Sequence, residues 1–326
     1  MKFTIEIATS FDEYWAAWNE FLGHLSFTRD PTPSDYHVDI EYDEMSEDFK
    51  NPNRLFLNAR LDDGKIIGLL DITLHGAGAK FGIWQPAIKQ EYLDSEVGRQ
   101  LIEKAFSILK DRDIKRINAT LKFRYPSEAE WHKEFYNKIG FKPMTQESVQ
   151  LLTDLAKAND LPASKFRGEI ATGDKFSAEE FIELTLRAFA STPEDIAIHG
   201  RDHMGDPVAV RQIHERMKSE QWGKSPSDLW KIALVDGKPA GLILGMIRES
   251  KHKPMTGIIG ELGVSPEFRR QGVGYALIRS IQESFKQYGC LYSFVGTPHD
   301  NVNAIRMYNK AGYFEVNRLD FYELIF

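Results

Sequence analysis

Apolar positions recur at three- to four-residue spacing through Ser177 to Ala190, where Phe181, Leu184, Leu186 and Phe189 form one stripe, so the pattern predicts an amphipathic helix. Pro207 to Gln221 reads as a second helix, with Asp206 as its N-cap and Pro207 at its first position. Leu229 to Val235 and Pro239 to Arg248 are strand-like runs joined by Asp236-Gly237, a pair suited to a tight turn. Phe166 to Ala171 precedes them as a first strand. Thr256 to Val264 (strand) and Gly274 to Tyr288 (helix) follow, then Leu291 to Gly296, Asn301 to Lys310 and Tyr313 to Glu323 as strand, helix, strand. That order predicts a mixed, mostly antiparallel sheet covered by helices, in the α/β class (α+β mixed).

The first half repeats the pattern. Phe3 to Ala8, Phe11 to Leu25, a hairpin at Arg54 to His75, a strand near Gly82, and the helix Ser95 to Leu109 come in the same sequence. Arg116 to Phe123, Ala129 to Lys138 and Phe141 to Leu152 complete it. Three local matches support the repeat. Asp63-Gly64-Lys65 returns as Asp236-Gly237-Lys238, Val97-Gly98 as Val273-Gly274, and Tyr136-Asn137-Lys138-Ile139-Gly140 as Tyr308-Asn309-Lys310-Ala311-Gly312. Each recurs roughly 175 residues downstream, in one order. The chain is expected to be two copies of one fold, residues 1–160 and 166–326, joined by the polar, proline-broken stretch Leu155 to Arg167.

Composition narrows the chemistry. Of 326 residues, 42% are hydrophobic and 27% charged, a globular balance. A net charge of −7 argues against a nucleic-acid binder, whose phosphate contacts need excess Lys and Arg. Cys290 is the single cysteine, which excludes an intrachain disulfide and a Cys-rich zinc site. No apolar run approaches membrane-spanning length and the N-terminus lacks a signal-peptide core, so a cytoplasmic protein without membrane partner is expected. Gly223-Lys224-Ser225 ends like a phosphate loop, but Lys218 stands where that motif needs glycine. His199 and His203 have a metal-like spacing, yet Gly200 and Gly205 suggest a loop, and no metal is expected.

Arg269-Arg270-Gln271-Gly272-Val273-Gly274 lies between a strand ending at Val264 and a helix starting at Tyr275. Free amides and the positive end of a helix dipole converge at such a turn, which suits a phosphate or pyrophosphate. Downstream, Asn301-x-x-Ala304-Ile305-x-x-Tyr308-x-x-x-Gly312-Tyr313 forms a second signature. Together these two elements resemble the GNAT superfamily of acyl-CoA-dependent N-acyltransferases, in a tandem arrangement with one GNAT-like domain per half.

The resemblance implies acetyl-CoA as the acyl-donor cosubstrate. The loop from Arg269 through Arg270, Gln271, Gly272, Val273 and Gly274 to Tyr275 would cradle its pyrophosphate. Leu262, Gly263 and Val264 would pair with the pantetheine arm, and Asn301 would hold the next strand or that arm. An N–H near Leu262 would stabilise the developing oxyanion, and Tyr308 stands where the family places its general acid. Glu261, the one carboxylate on the strand entering the loop, is a base or a cation-binding group, or a solvated edge residue. Asp195, His199 and His203, with Asp202, lie between the first two helices, where the family builds its acceptor pocket. In the first copy Leu93-Asp94-Ser95-Glu96 replaces the arginines and first glycine, so that half is expected to have lost the coenzyme. The expected activity is acetyl transfer to a primary amine of a small molecule by direct attack, by a monomer or homodimer. Transfer to a protein or peptide amine and a non-catalytic coenzyme A sensor or scaffold remain open beside it.

Overall fold

The computed structural model describes residues 1–22, 45–82, 84–144, 148–190, 205–220, 222–249 and 255–325. They fall into two compact units, Met1–Glu147 with Asn317–Phe326, and Ser148–Val316.

The first unit runs β1 (Phe3–Ile7), α1 (Phe11–Leu22), β2 (Arg54–Leu61), β3 (Ile66–His75), β4 (Gly78–Phe81) and β5 (Ala87–Ile88). It continues with α2 (Val97–Asp111), β6 (Arg116–Phe123), α3 (Glu130–Lys138) and β7 (Lys142–Pro143). The second runs β8 (Ser148–Asp154), β9 (Glu169–Thr172), α4 (Ala178–Ala188), α5 (Pro207–Lys218), β10 (Trp230–Val235), β11 (Lys238–Arg248) and β12 (Thr256–Val264). Then come α6 (Val273–Gln287), β13 (Tyr292–Pro298) and α7 (Val302–Lys310), and the last strand, β14 (Phe314–Ile325), belongs from Asn317 onward to the first unit.

Local chemistry explains the boundaries. Ser177 and Glu180 form a capping box at the start of α4, satisfying two orphan N–H groups. Asp206 Oδ1 accepts from Val208 N at 2.9 Å, and Pro207 opens α5. Asp236 and Gly237 both take positive φ, 50° and 73°, as a primed hairpin turn requires. In α6, Val273, Leu277, Ile278, Ile281 and Phe285 recur on one face and are all buried. That face lies on the strands, where added methyls on Gly245 and Gly257 would run into Phe285.

In sheet order the first unit reads β1-β2-β3-β4-β6-β14, with β5 also on β3. The second reads β8-β13-β12-β11-β10-β9. The sequence pattern assigns the strand after Phe141 to the first copy and that after Tyr313 to the second. In the structure β8 instead pairs antiparallel with β13, Leu151 opposite Val295, and β14 with β6, Asp320 opposite Leu121. Each unit is finished by the other copy's last strand. The division therefore lies around 147–148 and 316–317 rather than in Leu155 to Arg167. Alternating apolar residues specify that a strand forms, not which sheet receives it.

Candidate functional site

Strand β12 is divided in two. Thr256 to Ile259 pair in parallel with Tyr292 to Val295 of β13, and there the pairing stops. Glu261 to Val264 stay on β11, while β13 continues along β8 to Pro298. The sheet thus splays open beside Gly260 to Val264 and leaves one edge of backbone N–H and C=O groups unpaired by a strand.

The split coincides with a bulge. Leu244 faces Glu261 but Gly245 faces Ile259, so Gly260 is the extra residue. Strict alternation from Gly257, whose face meets Phe285 of α6, would send Glu261 toward α6. After the bulge Glu261 turns to the opposite helices. Its Oε1 accepts from Thr185 Oγ1 of α4 at 2.5 Å, and its Oε2 lies 3.1 Å from His214 Nε2 of α5. Thr185, His214 and Glu261 are all buried. Glu261 is therefore a buried carboxylate, not a solvated edge residue, since burial with two hydrogen bonds replaces its water.

Thr185 and His214 do not appear among the residues the sequence singles out. His214 carries a faint signal, because it is the one polar side chain in the buried stripe Val210, His214, Met217 of α5. Thr185 carries none.

The loop after β12 begins with a buried Ser265 and one 3-10 turn, Pro266–Phe268. Arg269 spends its guanidinium on the chain itself: Nε donates to Val264 O at 3.1 Å and Nη2 to Ala188 O at 3.0 Å. It ties the end of β12 to the end of α4. Gln271 Nε2 likewise donates to Glu267 O. Arg270 and Gly272 take positive φ, 65° and 85°. For an arginine this costs about 1–2 kcal/mol. The amides of Arg270, Gln271, Gly272, Val273 and Gly274 find no acceptor among the described residues. They converge at the N-terminus of α6, which has no side-chain cap. Gly274 serves packing, since a methyl there would lie 2.6 Å from Met307 Sδ of α7. Val273 is buried in the core, and Tyr275 Oη donates to Pro162 O at 2.7 Å.

Tyr308 sits on the buried side of α7, edge-on to Tyr313 with ring centroids 5.5 Å apart. Burial pushes its phenol well above the ordinary tyrosine range, so it is protonated at neutral pH. Its hydroxyl has no hydrogen-bond partner among the described residues. Asn301 caps α7, its Oδ1 accepting from Ala304 N at 3.2 Å. Asp195, His199, Asp202 and His203 lie outside the described residues. Among the described residues no group of three His, Cys, Asp or Glu could hold a metal ion, and no helix is long and apolar enough to cross a membrane.

The first unit shows the same place with the opening closed. Gly68 faces Ile88 there as Gly241 faces Val264 here, so Gln85 falls at the position of Glu261. Between β4 and β5 the chain folds into the gap. Trp84 Nε1 donates to Lys122 O of β6 at 2.5 Å, and Trp84 and Gln85 are fully buried. Tyr136, the counterpart of Tyr308, donates its hydroxyl to Gln85 O. His132 Nε2 bonds Pro86 O at 3.0 Å. Ahead of α2, Ser95 Oγ takes the Val97 amide, and Glu96 has φ −72° where Gly272 has 85°. Glu96 pairs with Arg99, and among the described residues the counterparts of the open edge and of the glycine loop are both occupied by the chain's own side chains.

Comparison with known proteins agrees with this geometry. The model of the Acetyltransferase (GNAT) family matches residues 11–141 and 199–313, most of both halves. Curated relatives include "Probable N-acetyltransferase HLS1" of Arabidopsis thaliana, 31% identical over 137 residues. That match spans 35% of this chain and 31% of the relative, so only about a third of each is compared. Among solved structures, a GCN5-related N-acetyltransferase from Sphaerobacter thermophilus aligns over 99% of this chain and 95% of its own, with TM-score 0.60 and 16% identity. A tandem GNAT protein from the clavulanic acid biosynthesis pathway covers 99% and 98%, with TM-score 0.55 and 13% identity. At these identities the structures speak for the fold alone. With a family match across both halves, the chain belongs to the Acetyltransferase (GNAT) family, with one matched region in each half.

Proposed function

We propose that the second unit transfers the acetyl group of acetyl-CoA to a primary amine of a small molecule by direct attack. The observation that carries this reading is the conjunction of the unpaired β12 edge at Gly260 to Val264 with the free amides of Arg270 to Gly274. Those residues fit coenzyme A. An edge of alternating N–H and C=O groups matches an amide-bearing pantetheine arm, and five convergent amides at a helix N-terminus match a pyrophosphate. Acetyl-CoA, when bound, supplies an activated acyl carbon in its thioester.

The chain's residues then divide the remaining work. Arg270, exposed and without an ion partner among the described residues, adds positive charge at the cradle. The Leu262 N–H, on the stretch of β12 that β13 leaves unpaired, would donate to the developing oxyanion, an interaction often worth about 3–4 kcal/mol. Tyr308, kept protonated by burial, gives a proton to the departing sulfur. A free alkylammonium has a pKa near about 10, so the acceptor must lose a proton to react. The buried cluster of Thr185, His214 and Glu261 on the α4–α5 face is the group that would receive it.

The test is thiol release from acetyl-CoA over a panel of primary amines, such as spermidine, tyramine, glucosamine and lysine. The reading expects turnover with at least one amine. In Tyr308→Phe we expect kcat to fall roughly 10²–10³-fold with acetyl-CoA affinity within twofold of wild type. Coenzyme binding without release on any amine would favour a sensor, and unchanged kcat in Tyr308→Phe would remove the acid from Tyr308.

A further inference from the structure

We propose that His214 Nδ1, rather than Glu261, is the atom that takes the acceptor's proton, and that Glu261 and Thr185 position the ring. This rests on the acyl-transfer reading of the second unit and assigns its base. Both oxygens of Glu261 are already engaged, Oε1 by the Thr185 hydroxyl and Oε2 by the His214 ring. An ionised carboxylate can only accept, so Nε2 carries the ring hydrogen, and the Nδ1 lone pair is left free. Among the described residues Nδ1 has no partner.

The surroundings suit a transient imidazolium. From β12 the ring faces the Glu261 carboxylate, 3.1 Å away, and from α4 the non-ionising Thr185 hydroxyl, 3.4 Å from Nε2. From β10 it meets the Trp230 ring edge-on at 5.4 Å. On its own helix the two nearby cations are occupied, Arg211 with Glu179 and Lys218 over the Trp230 ring. Charge formed on His214 therefore meets one opposite charge at close range. Glu261 directly precedes Leu262, so the dyad is one residue from the proposed oxyanion donor.

The step balances. The ammonium nitrogen gives one proton to Nδ1, and the freed pair forms the C–N bond as the C–S bond breaks. Tyr308 supplies the hydrogen for the sulfur, and the nitrogen's second proton, acidic once the nitrogen carries the acyl group, passes through solvent to restore the phenol. The imidazolium returns the first proton to solvent, so one proton is released per turnover. Of the two groups, only the ring offers an atom with no partner among the described residues, since both carboxylate oxygens already accept.

Three enzymes decide it: wild type, His214→Gln and His214→Ala, assayed across pH with saturating acetyl-CoA and the fastest amine of the panel. Glutamine keeps a donor for Glu261 but cannot accept a proton as imidazole does. We expect both variants to bind acetyl-CoA within twofold of wild type and to lose about 10²–10³-fold in kcat. The acid limb of kcat/KM should vanish in both, and added imidazole should restore part of the activity of His214→Ala. Wild-type kcat in His214→Gln with the acid limb in place would overturn the assignment and leave His214 a structural donor. Wild type failing to bind acetyl-CoA would instead overturn the acyl-transfer reading itself.

Discussion

Tyr308 and Tyr136 occupy matching places in the repeat, yet their hydroxyls are held differently. Tyr136 spends its hydroxyl on Gln85 O, whereas Tyr308 has no such partner among the described residues. Beside Tyr136, His132 is buried, and burial pushes its imidazole down to about 4 despite the backbone acceptors at Pro86 and Trp84. It is neutral in the folded unit and protonates near about 6.5 once unfolded. Its contribution is therefore complete above about pH 6.5 and is lost as pH falls toward 4, amounting to a few kcal/mol. We expect the melting temperature of the first unit to drop over that interval, and His132→Gln to flatten the slope. A slope unchanged in the variant would assign it to other groups. At this scale the sequence was partly readable. Tyr308 and the glycine loop stand in a contiguous motif, and Glu261 is the one carboxylate on its strand. Thr185 and His214 reach Glu261 from two other helices, a contact that no local spacing announces.

Strand β12 shows how one residue redirects an element. The segment Thr256 to Val264 was legible as a strand with its observed ends. Its bulge was not, because a register shift belongs to the pairing with β11 and not to β12 alone. Because Gly260 is the extra residue, deleting it would set Glu261 directly after Ile259, where plain alternation keeps it opposite Leu244 on the α4–α5 face. The variant should therefore lose the bulge but keep its fold and the contacts of Glu261 with Thr185 and His214. A collapse of the denaturant midpoint on deletion would contradict this register. The loop carries a related correction of emphasis. Arg269 looks in sequence like a phosphate ligand, yet in the fold its guanidinium joins Val264 to Ala188. The backbone amides that follow are the free groups, and they are invisible in side-chain identities.

Across the whole molecule, the doubled architecture was legible from three short matches, but the assignment of the last strands was not. The patterns of β8 and β14 are interchangeable as strands, and only long-range pairing decides that each completes the other copy's sheet. Within the first unit, β14 also brings Asp320 to Lys133 at 2.5 Å and Tyr322 to Tyr136 at 5.1 Å between rings. Truncation after Val316 should thus unfold the first unit's sheet edge. Hydrogen exchange would show lost protection along β6, and retained protection there would contradict the strand assignment. The same doubling produced one open strand edge and one closed by Trp84, Gln85 and Pro86, and one glycine loop whose counterpart carries Glu96. Calorimetric titration with coenzyme A measures that asymmetry directly. The account predicts one coenzyme bound per chain in wild type and none in Gly272→Glu, which places in the second loop the side chain found at Glu96 in the first. Two bound per chain, none in wild type, or undiminished binding in Gly272→Glu would contradict it.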